Sequence, residues 1–174
     1  MNYLPYVGVL TACAIAIVTD LRARKIPNAI PIALGIFALV VNASMGRPTF
    51  FSGLAAGAIL LLLGMVPFAM GWLGGGDVKL LAAAACALGL SRTLPLVLFT
   101  AVAGGVLAIV AAVISGQTQG VFTGVRRMVT PWLYPGVASA GPTTGLRLPY
   151  AIAIASGVVL LLIGDRFVPA LRVV

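Results

Sequence analysis

The sequence predicts an all-α integral membrane protein, a bundle of about six transmembrane helices, and three observations carry that expectation. Of 174 residues, 61% are hydrophobic and 8% charged, whereas about a quarter of the residues of a soluble domain are charged. Mean hydropathy is +1.17. The apolar residues also fall into six runs, 4–19, 29–43, 51–70, 78–90, 94–114 and 149–163, with turn-forming residues at the breaks. A chain of this length has room for one such bundle, so 1–174 is expected to be a single transmembrane domain.

The first run lacks the positively charged start of a signal peptide, and its basic residues follow it in "LRARK", so it is expected to be a retained helix. "KIPN" turns the chain into the second run, with Pro27 shaping the turn and Asn28 as the helix cap. The third run follows "MGRP" and, like the fifth, reaches the ~20 residues that a span requires. The fourth, opened by "GGGD", is short enough to be a partial or tilted span. "LSRTLP" separates it from the fifth. A longer polar stretch, 115–147, places Trp132 and Tyr134 between prolines and reads as an aromatic-anchored loop or as a flap near a site. The last run begins at Pro149. Small residues crowd the fourth and fifth runs, in "LAAAACALG" and "AVAGGVLA", a composition that permits close helix packing or a homo-oligomer.

Composition excludes much chemistry. There is no histidine, which removes imidazole-based triads and most zinc and haem sites. Cys13 and Cys86 lie in apolar runs without a CxxC partner and are expected to be packing residues, so no metal and no cofactor is implied. The eleven Lys and Arg residues are scattered between apolar runs rather than clustered as a nucleic-acid footprint; they read as topology signals for a lipid bilayer. With the N-terminus outside and six spans, Arg22, Arg24, Lys25, Lys79, Arg126, Arg127 and Arg147 fall on one side. Arg47, Arg92, Arg166 and Arg172 fall on the other, and the richer side is expected to be cytoplasmic.

Only three residues are acidic: Asp20, Asp77 and Asp165. The same threading puts Asp20 and Asp77 at the cytoplasmic face and Asp165 opposite, where with Arg166 it reads as a surface ion pair of little energetic consequence. Alone, Asp77 reads as a helix cap and Asp20 as the mark of a helix leaving the bilayer. Together they suggest function, because ionisable groups in or at the edge of spanning helices are costly. Two carboxyls held close in low dielectric share one proton. One can then take a proton from an attacking water while the other donates to the scissile carbonyl and the leaving amine. Gly74, Gly75 and Gly76 would allow unwound backbone and a closely approaching extended substrate. The alternative is a small transporter or proton-coupled carrier; acids at one face and no visible internal repeat speak against it.

Three segments carry a resemblance. "GGGDVKLL" fits the GxGD pattern of membrane aspartic proteases, "TDLRARKIPN" is similar to the first-aspartate segment of type IV prepilin peptidases, and "RLPYAIAIASG" to their proline-led last helix. The chain therefore resembles that family. The resemblance implies an aspartic endopeptidase of the bacterial cytoplasmic membrane that removes leaders from prepilin or pseudopilin substrates without a cofactor. Asp20 and Asp77 would be catalytic, and Gly74, Gly76, Lys79, Pro27 and Asn28 would shape the site or bind substrate. Lys79 reads as a residue snorkelling to headgroups or meeting the glutamate that such pilins carry after the cleavage point. The cysteine tetrad of the longer, N-methylating enzymes is absent between the first two runs, so the chain resembles the short, protease-only branch serving Tad/Flp-type pili. Presenilin-like proteases pair GxGD with Tyr-Asp, whereas Thr19 precedes Asp20 here.

Overall fold

In the computed structural model, which describes residues 3–23, 25–114 and 150–167, six helices form one bundle. They are α1 (Leu4–Ala23), α2 (Ala29–Ser44), α3 (Arg47–Ala69), α4 (Gly75–Leu88), α5 (Leu90–Ile114) and α6 (Tyr150–Phe167). The stretch 115–147, with Trp132 and Tyr134, lies outside the described residues. Four of the helices, Leu4–Ala23, Arg47–Ala69, Leu90–Ala111 and Tyr150–Phe167, are long and apolar enough to cross a membrane, and α2 is apolar but shorter. Their outer faces are apolar: Leu62 and Met65 on α3, and Leu94, Leu98 and Val102 on α5, are exposed. In water such surface would be untenable; against acyl chains it is the required surface.

The short fourth helix is the core of the bundle. Every residue from 82 to 88 is buried, and α4 touches all five other helices. A helix sheathed by others need not match the bilayer thickness, which explains a run too short to span in isolation. Its alanines pair with glycines of α3: a Cβ at Gly57 would lie 3.0 Å from the Cys86 Cβ and 3.3 Å from the Ala82 carbonyl oxygen. Backbones this close are the common mode of helix packing in lipid. Asn42 of α2, buried, donates from Nδ2 to the Cys86 carbonyl oxygen at 2.7 Å. Cys13 and Cys86 are both free and buried, as expected of packing residues.

One expectation about a break is corrected. The chain turns from α4 to α5 on Gly89 alone, at φ +83°, a conformation that glycine adopts without strain. "SRTLP" is consequently inside α5, with Arg92 in its first turn and Pro95 in its second. The polar cluster reads as a loop by composition, yet near a helix start those residues cost little.

The larger correction concerns Asp165. It is fully buried, not a surface residue. Near the end of α6 its Oδ2 accepts hydrogen bonds from the Tyr6 hydroxyl of α1 and from Arg92 Nε of α5, the latter at 2.8 Å. These contacts bring the start of α1, the start of α5 and the end of α6 together at one end of the bundle.

Candidate active site

This three-helix lock places both remaining aspartates at the other end. Fourteen residues separate Tyr6 from Asp20 along α1, about 21 Å at ~1.5 Å per residue. Asp77 lies twelve residues before Gly89, about 18 Å along α4 from the same level. The last turn of α1 and the first turn of α4 therefore meet in height. α1 continues past the apolar run to Ala23, with the Thr19 hydroxyl satisfied by the Ala16 carbonyl oxygen at 2.9 Å. Asp20 remains helical.

The connection 25–28 closes the gap between them. Its Ile26 lies on α4 at Gly76, where a Cβ would stand 2.9 Å from the Ile26 Cβ and 3.2 Å from its carbonyl oxygen. Lys79 Nζ donates to Asn28 Oδ1 at 2.9 Å, and the Pro27 carbonyl accepts the Ile30 N–H at 3.1 Å to open α2. Asn28 occupies the N-cap position of α2 but makes no side-chain cap bond there. The expected cap is thus corrected: the α4 ammonium takes its oxygen instead. Lys79 correspondingly ties the connection down rather than only reaching for headgroups.

The glycines also act differently from expectation. Gly75 and Gly76 are already helical, and the non-helical backbone is 71–74, ending at extended Gly74 (φ −72°, ψ 146°). Gly76 is needed for the approach of Ile26, a contact within the chain. Gly76→Ala is expected to force that contact apart, lowering stability by about 1–3 kcal/mol and reducing peptidase activity. Gly105→Ala, where a Cβ meets nothing within 4 Å, should change neither; thermal unfolding in detergent and a cleavage assay check both.

Asp77 is at the third helical position, and its Oδ2 accepts the Gly74 N–H at 3.2 Å, the reciprocal half of a capping box. It lies outside the four long spanning helices, and its carboxyl is pushed up to about 6, first by removal from water and second by the negative charge of Asp20, with the Gly74 N–H opposing both. The aspartates thus act on one another across the α1–α4 contact. The charge of Asp77 also reaches Tyr150, the first residue of α6, to which sequence reading assigns no role. Among the described residues, no group of three or more His, Cys, Asp or Glu gathers as a metal-binding set.

The model of the type IV leader peptidase family matches residues 7–109, more than half of the chain. The chain belongs to that family. It is therefore a membrane peptidase of the leader-peptidase type, with prepilins as the family's substrates, and its several apolar helices fit a multi-pass protein. No curated protein and no solved structure gives a significant match. The matched span takes in Asp20, the 25–28 connection and the "GGGD" turn, and it ends within α5, before α6 begins.

Proposed function

We propose that this leader peptidase is an aspartic endopeptidase, with Asp20 and Asp77 as its catalytic pair, acting on prepilin-like substrates of the Flp type. The observation that carries the reading is the electrostatic action of Asp20 on Asp77 at one end of the bundle. Two carboxyls so placed hold one proton between them. The ionised member takes a proton from water as its oxygen attacks the scissile carbonyl carbon; the protonated member gives its proton to the carbonyl oxygen. Collapse of the tetrahedral intermediate breaks the C–N bond, and the leaving amine takes up a proton, so atoms and charge balance without a cofactor.

The non-helical 71–74 segment gives an extended leader junction room beside Asp77. An apolar groove between α2, α3 and α4, lined by Gly35, Leu39, Gly57, Ala58 and Ala82 with Lys79 at its rim, supports a seat for the substrate's apolar helix. Lys79 has donors left over from Asn28 for an acidic residue following the cleavage point. The basic-residue distribution supports a cytoplasmic position for the pair in the bacterial inner membrane, within one domain comprising 1–174. The absent cysteine tetrad supports a product with a free, unmethylated amine.

Co-expression with a prepilin bearing a basic leader, followed on a gel and by mass spectrometry, tests the reading: the expected product is the shortened pilin without a 14 Da methyl increment (the mass of CH₂). With purified enzyme and substrate, kcat/KM reports the free enzyme. Because the pair must keep one proton and Asp77 sits near 6, kcat/KM should fall as pH rises through that region. A flat profile from pH 5 to 8 would count against a shared proton, and an uncut prepilin against the function.

A further inference from the structure

The end of the bundle away from Asp20 and Asp77 holds a cavity of about 130 Å³, far more than the ~10–15 Å³ that a single water needs. Tyr6 from the start of α1, Asn42 from the end of α2, Thr49 from the start of α3, Leu88 from the end of α4 and Arg92 from the start of α5 line it. Among the described residues its wall carries one cation, Arg92, and no acid. Asp165 is not on that wall; it takes Arg92 Nε at 2.8 Å. A guanidinium has donors on three nitrogens, so the bond to Asp165 leaves both Nη groups for the cavity, and the Arg92 side chain keeps 28% exposure. Thr49 is half-buried in the first turn of α3, and its hydroxyl makes no hydrogen bond among the described residues. That turn opens at Gly46, which has no side chain to cap the first N–H groups, and the positive end of the helix dipole lies there. Asn42, by contrast, has already committed its Nδ2 to the Cys86 carbonyl oxygen.

We propose that this cavity binds a phosphate group, carried by a membrane lipid headgroup or free in solution, with the Arg92 Nη donors and the Thr49 hydroxyl holding its oxygens. The planar guanidinium presents paired N–H groups that match phosphate oxygens. Arg92 then serves two anions at once, the buried Asp165 carboxylate through Nε and the phosphate through Nη. The Asp165 charge offsets part of the attraction, so directional hydrogen bonds and the open start of α3 carry the rest. A bound phosphate braces the junction of α1, α5 and α6, because it fixes the guanidinium on which that junction turns. Basic pockets between spanning helices are places where lipid headgroups bind, and Leu4, Phe51 and Leu90 at the same end are exposed for acyl chains. The site is remote from the proposed catalytic pair and does not depend on it.

Thermal unfolding of the full chain in an uncharged maltoside detergent reads the binding. Phosphatidylglycerol should raise Tm by roughly 2–4 °C and saturate, whereas diacylglycerol with the same acyl chains, which lacks the phosphate, should not. A rise with phosphatidylglycerol but not with inorganic phosphate assigns the lipid headgroup, the reverse assigns the free ion, and a rise with both assigns a site open to either. Thr49→Glu places a carboxylate in the cavity at a helix start that tolerates one, and should abolish the rise. Arg22→Gln also lowers the net charge by one but lies exposed at the far end of α1, and should keep it. Thr49→Val removes only the hydroxyl and should raise the half-saturating concentration about 5-fold, the loss of one hydrogen bond; it carries the test if the Glu variant does not fold. No rise with either phosphate source overturns the inference, and so does an equal rise with diacylglycerol. A rise unchanged in Thr49→Glu, or in Thr49→Val where that variant carries the test, would be general attraction to a chain of net charge +8 and overturns it too.

Discussion

Asp20→Asn and Asp77→Asn are each expected to abolish leader cleavage, by at least the order of 10²–10⁴-fold that a positioned acid or base contributes, with the protein still inserted and folded. The amide is nearly isosteric and, at position 77, its oxygen can still accept the Gly74 N–H, so the start of α4 keeps its bond. What is lost is the proton. An amide neither takes one from water nor passes one to the departing amine, and a pair reduced to one carboxyl no longer shares anything. For that reason the double variant should be no worse than either single one, the non-additivity expected of groups acting as one unit. Arg47→Gln serves as the control, since Arg47 is exposed at the start of α3. Gel mobility of a co-expressed prepilin reads the result. Full processing by either Asn variant would remove that residue from the chemistry.

Relief of repulsion gives the same variants a second signature. In the folded protein Asp77 is held above its ordinary range by burial and by Asp20, so the native state binds a proton that the unfolded chain has already released between about pH 4 and 6. Stability must then decline as pH rises through that window and stay lower above it. Asp77→Asn should lose that decline and unfold at the parent's temperature or higher near pH 8. A site that gains stability when its acid is neutralised, and loses activity, is held in place for function rather than for folding.

The sequence made these two aspartates legible through parity. A chain crossing the membrane several times returns to the same face on alternate connections, and Asp20 and Asp77 follow odd and precede even crossings, so composition and run count suffice to bring them to one end. The helical architecture was legible for an equally general reason, since in lipid the backbone must satisfy its own hydrogen bonds. Local spacing could not show what joins distant segments. Asn28 reads as a cap because its partner Lys79 is 51 residues away. Asp165 reads as a partner for its neighbour Arg166 because Arg92 and Tyr6 lie 73 and 159 residues away. Gly76 reads as room for a ligand, because no local pattern reveals that Ile26 occupies that space.

Asp165 is the residue whose loss should cost the fold most. It has no solvent exposure, and it accepts from Tyr6 and Arg92 at the junction of α1, α5 and α6. Asp165→Leu removes the acceptor from two donors, the buried Tyr6 hydroxyl and the half-buried Arg92 cation. Removing one partner of a buried pair costs about 3–5 kcal/mol, and because the Arg92 side chain retains 28% exposure the lower end, ~3 kcal/mol, is the better expectation. Asp165→Asn keeps an acceptor but gives up the charge, so a smaller loss of about 1–3 kcal/mol should follow. Replacing both members, as Asp165→Leu with Arg92→Met, should recover much of the loss, since an apolar pair needs no desolvation. Activity should separate from stability. The junction stands about 21 Å from Asp20 along α1, so kcat per folded molecule should stay near the parent value in every variant that folds. Thermal unfolding in detergent, paired with active-site-normalised turnover, reads both quantities. If Asp165→Leu melted with the parent, the junction would not be what fixes α6.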